Sequence, residues 1–311
     1  MSRKVTVIGA GNVGATIAYT LSLGDIASQI VVVDINREKV EGEVMDIVQG
    51  TSFREPISVI AGDYADAADS DIVIITSGLP RKAGQSRLEL AQANVNIIKD
   101  IAPQITAAAP DAIYIVVANP VDILTYIALK ESGYPANRVI GSGTVLDTGR
   151  FRYELGEHLD VDSRSVHAYI IGEHGDSELA AWSDARVGGL KISDFCELRG
   201  HFNHEDSMTR IFDHVKNSAY EIISKKHATY YGIAMAVVRI CSAIVRDEKS
   251  IMPVSSLMTG EYGLYDVVLS IPAVVDANGI EAVVPIELSE TELLALKKSA
   301  EILKGIIKDN V

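Results

Sequence analysis

The glycine pattern Gly9-x-Gly11-x-x-Gly14 constrains the fold of this chain more than any other feature of its sequence. It follows residues 5–8, a β-branched run that predicts a short strand, and it precedes a segment that predicts a helix up to Leu23. Glycines in this context let the backbone approach a pyrophosphate closely, and the positive end of the helix dipole then faces the phosphate charge. The pattern therefore predicts a strand–turn–helix unit that binds a dinucleotide.

Asp34 completes this signal. It stands 20 positions after Gly14, at the end of the next predicted strand, residues 30–33. A carboxylate there can accept hydrogen bonds from the ribose hydroxyls and would repel a 2′-phosphate, so NAD is favoured over NADP. The residues of this unit that are predicted to bind the cofactor are Gly9, Gly11, Asn12, Val13, Gly14 and Asp34.

Near-continuous apolar strands alternate with helical segments through the first 143 residues. Further strands are predicted over 57–61, 71–76 and 112–117, and a long helix is predicted from residue 87 to about residue 102. Strands this apolar are typical of a parallel sheet that helices cover on both faces, which predicts the doubly wound α/β class. Beyond residue 143 the alternation fades, although another strand is predicted over 166–171. We therefore expect a cofactor-binding domain over 1–143 and a mixed α+β substrate domain over 144–311.

The charge balance excludes two classes of partner. The chain has 28 Lys and Arg against 42 Asp and Glu, a formal net charge of -14, so its surface repels nucleic acid and anionic membranes. No run approaches the roughly 18–20 apolar residues of a membrane helix. Cys196 and Cys241 lack Cys-x-x-Cys spacing, which predicts no disulfide framework and suits a reducing cytoplasm. No metal site is predicted, because His201, His204 and His214 lack HExxH spacing.

Four further tracts follow in order along the chain. Residues 84–87 are Gly-Gln-Ser-Arg, 119–122 are Asn-Pro-Val-Asp, 145–152 are Val-Leu-Asp-Thr-Gly-Arg-Phe-Arg, and 170–177 are Ile-Ile-Gly-Glu-His-Gly-Asp-Ser. Together with the glycine turn, they resemble the NAD-dependent lactate and malate dehydrogenase family over essentially the whole chain. The resemblance implies a Rossmann sheet, NAD, a small 2-keto or 2-hydroxy acid as substrate, and a homodimer or homotetramer. It also implies a mobile lid at about residues 77–90.

The resemblance also implies roles for particular side chains. His174 would be the proton donor and acceptor, with Asp147 as its orienting partner. Arg150 would hold the substrate carboxylate, and Arg87 would polarise the reacting carbonyl. The remaining contacts implied are Asn119 and Thr229 to the substrate, and Gly78 and Asn119 to the cofactor.

These residue types suit the reduction of a 2-keto acid. The keto oxygen becomes an alkoxide and needs a proton from an acid whose pKa lies near neutrality, which a histidine supplies. A neighbouring carboxylate stabilises the charged imidazole, and a guanidinium holds a carboxylate through two parallel hydrogen bonds. Two alternatives stay open. Asp147 and Arg150, three residues apart, could form only a helix ion pair, and the chain could be a non-catalytic NAD-binding protein.

The choice of 2-keto acid depends on contradictory signals. Arg81, six residues before Arg87, stands at a position that resembles the family's main specificity determinant. Arginine at that position is typical of malate dehydrogenases, and glutamine is typical of lactate dehydrogenases. Glu173, Thr229 and the tract at 119–126 instead resemble the lactate branch. A dianion that enters a closed acidic protein needs another cation, and Arg81 supplies one. Malate is therefore the favoured prediction, with lactate as the alternative.

Arg152 and His167 suggest a candidate effector site. They match positions that bind fructose 1,6-bisphosphate between subunits in bacterial lactate dehydrogenases. In the sequence alone, the pair is one arginine on a predicted helix and one histidine on a predicted strand.

Overall fold

A parallel sheet forms the first half of the chain. The computed structural model describes residues 3–79 and 87–310. The elements of this half are β1 (Lys4–Ile8), α1 (Asn12–Leu23), β2 (Gln29–Val33), α2 (Arg37–Thr51), β3 (Ser58–Ala61), β4 (Ile72–Ile75), α3 (Arg87–Ala108), β5 (Ile113–Val116), α4 (Val121–Ser132) and β6 (Val139–Gly141). The strands lie in the order β3-β2-β1-β4-β5-β6, all parallel, which is the doubly wound Rossmann order. The predicted fold class is confirmed.

The second half mixes helices with short antiparallel strands. Its elements are α5 (Val145–Leu159), β7 (Val166–His167), β8 (Ile170–Ile171), β9 (Leu179–Ala180), β10 (Arg186–Val187), β11 (Leu190–Lys191), α6 (Ile192–Leu198), α7 (His204–Lys226), α8 (Tyr231–Val245), β12 (Ser250–Met252), β13 (Ser255–Thr259), β14 (Tyr265–Ser270), β15 (Ala273–Asp276), β16 (Gly279–Val283) and α9 (Glu290–Asn310). Strands β13 and β14 join the large sheet beside β6, antiparallel to their neighbours. The other strands form the small sheets β11-β10-β7, β12-β15-β16 and β8-β9.

The large sheet separates two apolar cores. Val5 and Val7 of β1 lie in one core with α1, α2 and α8, whereas Ile8 lies in the other with α3, α4 and α9. Successive side chains of a strand point to opposite faces, so one strand serves both cores. Helices α8 and α9 belong to the second half, yet they cover the sheet of the first half. The predicted boundary between residues 143 and 144 falls in the loop between β6 and α5 and stays a prediction.

A third core lies wholly in the second half and supports the elements around the candidate site. Phe151 and Leu155 of α5 are fully buried there, together with Val166 and Ile170. Phe151 also packs edge-on against Trp182, with 4.8 Å between the ring centroids. This packing fixes α5 against the β8–β9 pair.

Two elements differ from the sequence prediction. Helix α3 runs through Pro103 to Ala108, although residues 87–102 were the predicted extent. A proline removes one internal hydrogen bond and costs about 3 kcal/mol, but α3 fully buries Ile98 and Ile105, each worth about 1.5–3 kcal/mol. The predicted strand over 166–171 is two strands, because β7 pairs with β10 and β8 pairs with β9. Between them, the Ala168 carbonyl accepts a hydrogen bond from Arg152 instead of a strand partner.

In the part of the chain that the structure covers, every helix is too short or too polar to cross a membrane.

The contact between α1 and the sheet should be a large source of stability. Leu21 is fully buried, whereas Leu23, two residues later in α1, is 37% exposed. We expect Leu21→Ala to lower the free energy of unfolding by about 2–5 kcal/mol, because it removes buried methyl groups and leaves a cavity. Leu23→Ala is the matched control and should cost only about 0.5 kcal/mol. Urea denaturation followed by circular dichroism measures both, and equal losses would contradict the packing.

Candidate active site

The carboxyl ends of β1, β4 and β5 converge at one edge of the sheet, where doubly wound folds bind ligands. The glycine turn follows β1, residues 77–79 follow β4, and Asn119 follows β5. Asn94 of α3 is buried and ties the last two segments together. Its Oδ1 accepts from the Leu79 amide at 2.8 Å, and its Nδ2 donates to the Asn119 carbonyl at 2.7 Å. Gly78 lies against Asn94 and Ala118, where a Cβ would meet the Ala118 Cβ at 3.2 Å.

The three glycines of the turn have distinct steric roles. Gly9 has a φ of +107°, a conformation that favours glycine. A Cβ on Gly14 would lie 1.8 Å from the Gly9 carbonyl oxygen, so only glycine fits where α1 crosses the turn. A Cβ on Gly11 would meet nothing within 4 Å, because this glycine faces open space. The first and third glycines therefore shape the turn, and the second leaves room beside it.

The N-terminus of α1 fits a dinucleotide phosphate. Gly11 is the N-cap, no side chain caps the helix, and the first turn carries no acidic residue. Its amide groups and the positive end of the dipole thus face the open space beside Gly11 together with the exposed Asn12 and half-buried Val13. Asp34, half-buried at the end of β2, accepts from the Ala10 amide at 2.6 Å and from the Asn36 amide at 2.9 Å. These bonds hold its carboxylate beside the turn.

His174 and Asp147 form a hydrogen-bonded pair. Nδ1 of His174 lies 2.5 Å from Oδ2 of Asp147, which is buried in the first turn of α5. Oδ1 of the same carboxylate accepts from Nη1 of Arg150 at 3.0 Å. Arg150 is one turn further along α5, and positions three apart lie on the same face of a helix. Both predicted cations therefore reach one buried carboxylate.

The surrounding charges favour a protonated His174. Burial by itself lowers the pKa of His174, but the charge and hydrogen bond of Asp147, with smaller contributions from Asp122 and Glu178, raise it to about 9. Burial raises the pKa of Asp147, but His174 and then Arg150 outweigh burial and lower that pKa below its usual value. At neutral pH the pair is therefore an imidazolium and a carboxylate.

The backbone of His174 is held by a carboxylate to which the sequence analysis assigned no role. Asp122, fully enclosed in the first turn of α4, accepts from the His174 amide at 2.8 Å and from the Ser255 hydroxyl at 2.5 Å. Burial raises the pKa of Asp122 to about 6, although both hydrogen bonds lower it. The signal in the sequence was an acidic residue in the first turn of a helix whose first half is mostly apolar. Its function is to fix the His174 loop onto α4 and β13.

The loop around His174 is also fastened to the C-terminal helix. The Glu173 amide donates to Oγ of Ser299 on α9 at 2.9 Å, and Oγ of Ser177 lies 2.8 Å from the same hydroxyl. The Ser177 hydroxyl also donates to the Glu173 carboxylate. These contacts hold both sides of the loop, so the backbone that carries the imidazole of His174 is fixed in position.

The donor atoms of Asp147, His174 and Glu178 lie within 4.8 Å of one another, a spacing that a metal ion could use. Arg150 already neutralises one oxygen of Asp147, which disfavours a cation at this point. The expectation of no metal stays a prediction.

The other residues predicted to bind substrate or effector make no contact with the His174–Asp147 pair within the described part of the chain. Arg81 lies outside the described residues, as does half of the predicted lid, residues 80–86, and the side chain of Arg87 at the start of α3 is also outside them. Thr229 is half-buried in the loop between α7 and α8. Arg152 donates to the Ala168 carbonyl at 2.9 Å and lies over the Tyr169 ring, whereas His167 is exposed on β7. The effector role of Arg152 and His167 stays a prediction.

Comparison with known proteins adds independent information. The model of the lactate/malate dehydrogenase NAD-binding domain matches residues 3–141, and the model of the family's alpha/beta C-terminal domain matches residues 144–311. The chain belongs to the lactate/malate dehydrogenase family. It is an NAD-dependent dehydrogenase of 2-hydroxy acids, and its cofactor is NAD. The resemblance stated from the sequence tracts and the predicted cofactor are thereby confirmed.

The relatives carry lactate names. An L-lactate dehydrogenase of Acetivibrio thermocellus is 53% identical over 306 residues, which cover 98% of this chain and 96% of that protein. One from Thermoanaerobacter sp. is 51% identical over 98% of each chain. The ligand-bound crystal structure of the minor L-lactate dehydrogenase from Enterococcus mundtii superposes with a TM-score of 0.96, at 44% identity, over 99% of this chain and 98% of that one.

The prediction of malate as the substrate is wrong. Relatives about half identical over the whole chain are L-lactate dehydrogenases, and so are the structural neighbours. The prediction weighted the charge of one lid residue, Arg81, above lactate-like tracts that lie in several elements. A single arginine can pair with solvent or with another part of the protein, so its charge alone does not determine what a closed site binds.

Gly11 and Gly14 provide a test of the cofactor site. We expect Gly11→Ala to keep the native melting temperature but to weaken NADH binding at least about tenfold, since its methyl group enters space meant for the cofactor. Gly14→Ala is the contrast, because its Cβ would overlap the Gly9 carbonyl and the protein should lose stability. Fluorescence titration with NADH and thermal denaturation separate the two effects. Native NADH affinity in a folded Gly11→Ala variant would contradict this assignment.

Proposed function

We propose that this protein is an L-lactate dehydrogenase that reduces pyruvate to L-lactate with NADH and catalyses the reverse reaction with NAD. The observation that carries the proposal is the 2.5 Å hydrogen bond between His174 and Asp147, with Arg150 on the other carboxylate oxygen. An imidazolium and a free guanidinium edge suit a substrate with a keto oxygen next to a carboxylate. The lactate names of relatives that cover the whole chain support pyruvate as that substrate.

Arg150 binds and orients the substrate carboxylate. A guanidinium has five N–H donors, and the bond to Asp147 uses one of them. Two of the others can meet the carboxylate of pyruvate in a parallel, bidentate pair, which fixes the orientation of the substrate as well as its charge. Arg87 polarises the keto oxygen, and Asn119 and Thr229 complete the substrate contacts.

His174 holds and moves the proton. Its Nδ1 is committed to Asp147, so Nε2 is the nitrogen that faces the keto oxygen and donates to it. Asp147 keeps this tautomer and stabilises the charged ring, and Asp122 prevents the loop backbone from shifting. In lactate oxidation the same nitrogen, now neutral, accepts the hydroxyl proton.

NADH, when bound, supplies the hydride that reduces the keto carbon. The residues that hold it are those of the glycine turn, with Gly11 and the N-terminus of α1 at the pyrophosphate and Asp34 at the ribose hydroxyls. Gly78 and Asn119 are assigned to the nicotinamide side of this cleft, and Asn94 joins their segments by bonding to Leu79, the neighbour of Gly78, and to Asn119. Assembly into a homodimer or homotetramer stays a prediction, for which the exposed Tyr231 and Met235 of α8 offer apolar surface.

A spectrophotometric assay of NADH oxidation tests the substrate. We expect pyruvate to be reduced with a higher kcat/KM than oxaloacetate, because the second carboxylate of oxaloacetate must be desolvated as the site closes, which costs affinity. The controls are a reaction in phosphate buffer without keto acid and a reaction with NADPH in place of NADH. If oxaloacetate is the better substrate, or if neither acid is reduced, lactate dehydrogenase is not the function.

His174→Asn tests the proton role. We expect kcat for pyruvate to fall by about 10²–10⁴-fold, since Asn cannot donate the proton, while NADH binding survives. In the native enzyme, pyruvate reduction should decline as pH rises through about 9, because the raised pKa of His174 keeps the ring charged up to that point. The variant should lack this alkaline decline. A pH profile that is the same in both proteins would exclude His174 as the acid.

A further inference from the structure

Glu178 is a buried carboxyl beside the catalytic pair, and the proposed mechanism does not use it. It stands at the end of the His174 loop, immediately before β9. Its exposed fraction is only 8%. Within the described part of the chain, its Oε1 is buried without a hydrogen-bond partner. A buried carboxylate oxygen without a partner is costly, so such a group usually has a reason for its position.

The position of Glu178 brings it into the electrostatic field of the catalytic pair. Carboxylate oxygens of Glu178 and Asp147 and a ring nitrogen of His174 all lie within 4.8 Å of one another. At that separation, and with Asp147 and Glu178 both buried, one charge changes the proton affinity of the next. The hydrogen-bond partner of the ring is Asp147, so Glu178 acts on His174 through its charge.

Several charged groups face Glu178 from the elements packed around it. Burial raises its pKa first, and the carboxylate of Asp147 on α5 raises it further. His174 in the same loop, Lys216 on α7 and Arg150 on α5 lower it, and the result is a pKa of about 8. Lys216 is itself fixed, since it donates to the Asp176 carbonyl at 2.6 Å. The carboxyl is therefore mostly neutral at pH 7 and charged above pH 8.

We propose that Glu178 is a positioning residue for the catalytic proton. It is a third proton-binding group of the active site, and its carboxylate, once formed, keeps His174 charged. The inference rests on the proposed function, since it concerns the proton that His174 exchanges with substrate. At neutral pH, neutral Glu178 adds no second negative charge beside Asp147. At alkaline pH, its carboxylate stabilises the imidazolium and extends pyruvate reduction to higher pH.

The sign of the effect follows from the charges. Removing the Glu178 carboxylate removes a group that raises the pKa of His174. His174 then loses its proton at a lower pH. Pyruvate reduction, which needs the charged ring, must decline earlier. Lactate oxidation, which needs the neutral ring, must begin earlier. A loss of packing would instead lower both directions together.

Glu178→Gln tests the proposal, because glutamine has nearly the shape of the neutral carboxyl and cannot ionise. We expect the ratio of variant to native kcat/KM for pyruvate to fall by about three- to tenfold between about pH 6 and pH 9. The same ratio for lactate oxidation should rise around pH 8. Glu157→Gln is the control, as it removes one negative charge from the exposed face of α5 and should shift neither profile.

Two measurements keep the outcomes separate. Parallel pH profiles for Glu178→Gln and the native enzyme, or equal losses in both reaction directions, would overturn the proposal. If Glu178→Gln does not fold, infrared spectroscopy of the native holoenzyme is the second test. The band of a buried neutral carboxyl group should vanish as pH rises through about 8. A carboxyl band that does not titrate there overturns the proposal. Absence of pyruvate reduction in the native enzyme would instead overturn the proposed function.

Discussion

The buried carboxylate of Asp147 is the constraint on which the rest of the candidate site depends. An ionised carboxylate inside a protein needs compensating charge, and His174 and Arg150 provide it on separate oxygens. Removing one partner of such a buried pair costs about 3–5 kcal/mol, so both cations are held where the chemistry needs them. The same interaction raises the proton affinity of His174 and orients its free nitrogen outward. The contact that stabilises the buried carboxylate therefore also serves the proton transfer proposed for His174.

The sheet determines where that contact can form. Its parallel strands bring the glycine turn, the end of β4 and Asn119 to one edge, and Asn94 locks two of these segments together. The His174–Asp147 pair comes from the second half, but Asp122, at the start of α4, fastens the His174 loop to the first half. Helices α8 and α9 cross over to cover the sheet. The glycine turn and His174 are thus held by one connected framework, which favours a fixed distance between the cofactor and the proposed proton donor.

The wrong prediction of malate shows that the charge of one residue is not enough to identify a substrate. Arg81 was weighed as though its guanidinium faced the substrate, yet a charge acts on a ligand only through a distance and a dielectric that the sequence does not contain. The features that agreed with lactate, Glu173 and Thr229 among them, lie in separate segments of the chain and need no assumption about where a single side chain lies. Agreement between several elements was the stronger argument.

The sequence by itself determined the doubly wound class and the cofactor, and it predicted the His174–Asp147 pair, because these depend on local patterns. Each of these patterns can be recognised within a few consecutive residues: the apolar strands, the three glycines at fixed spacing and the His174 tract. Tertiary structure alone decided that Asp122 holds the His174 backbone, that Asn94 joins two loops, and that Glu178 lies within reach of Asp147. The crossing of α8 and α9 onto the first sheet was likewise invisible in the sequence. These contacts join residues distant in the chain, and their energies depend on burial, which exists only once the chain has folded.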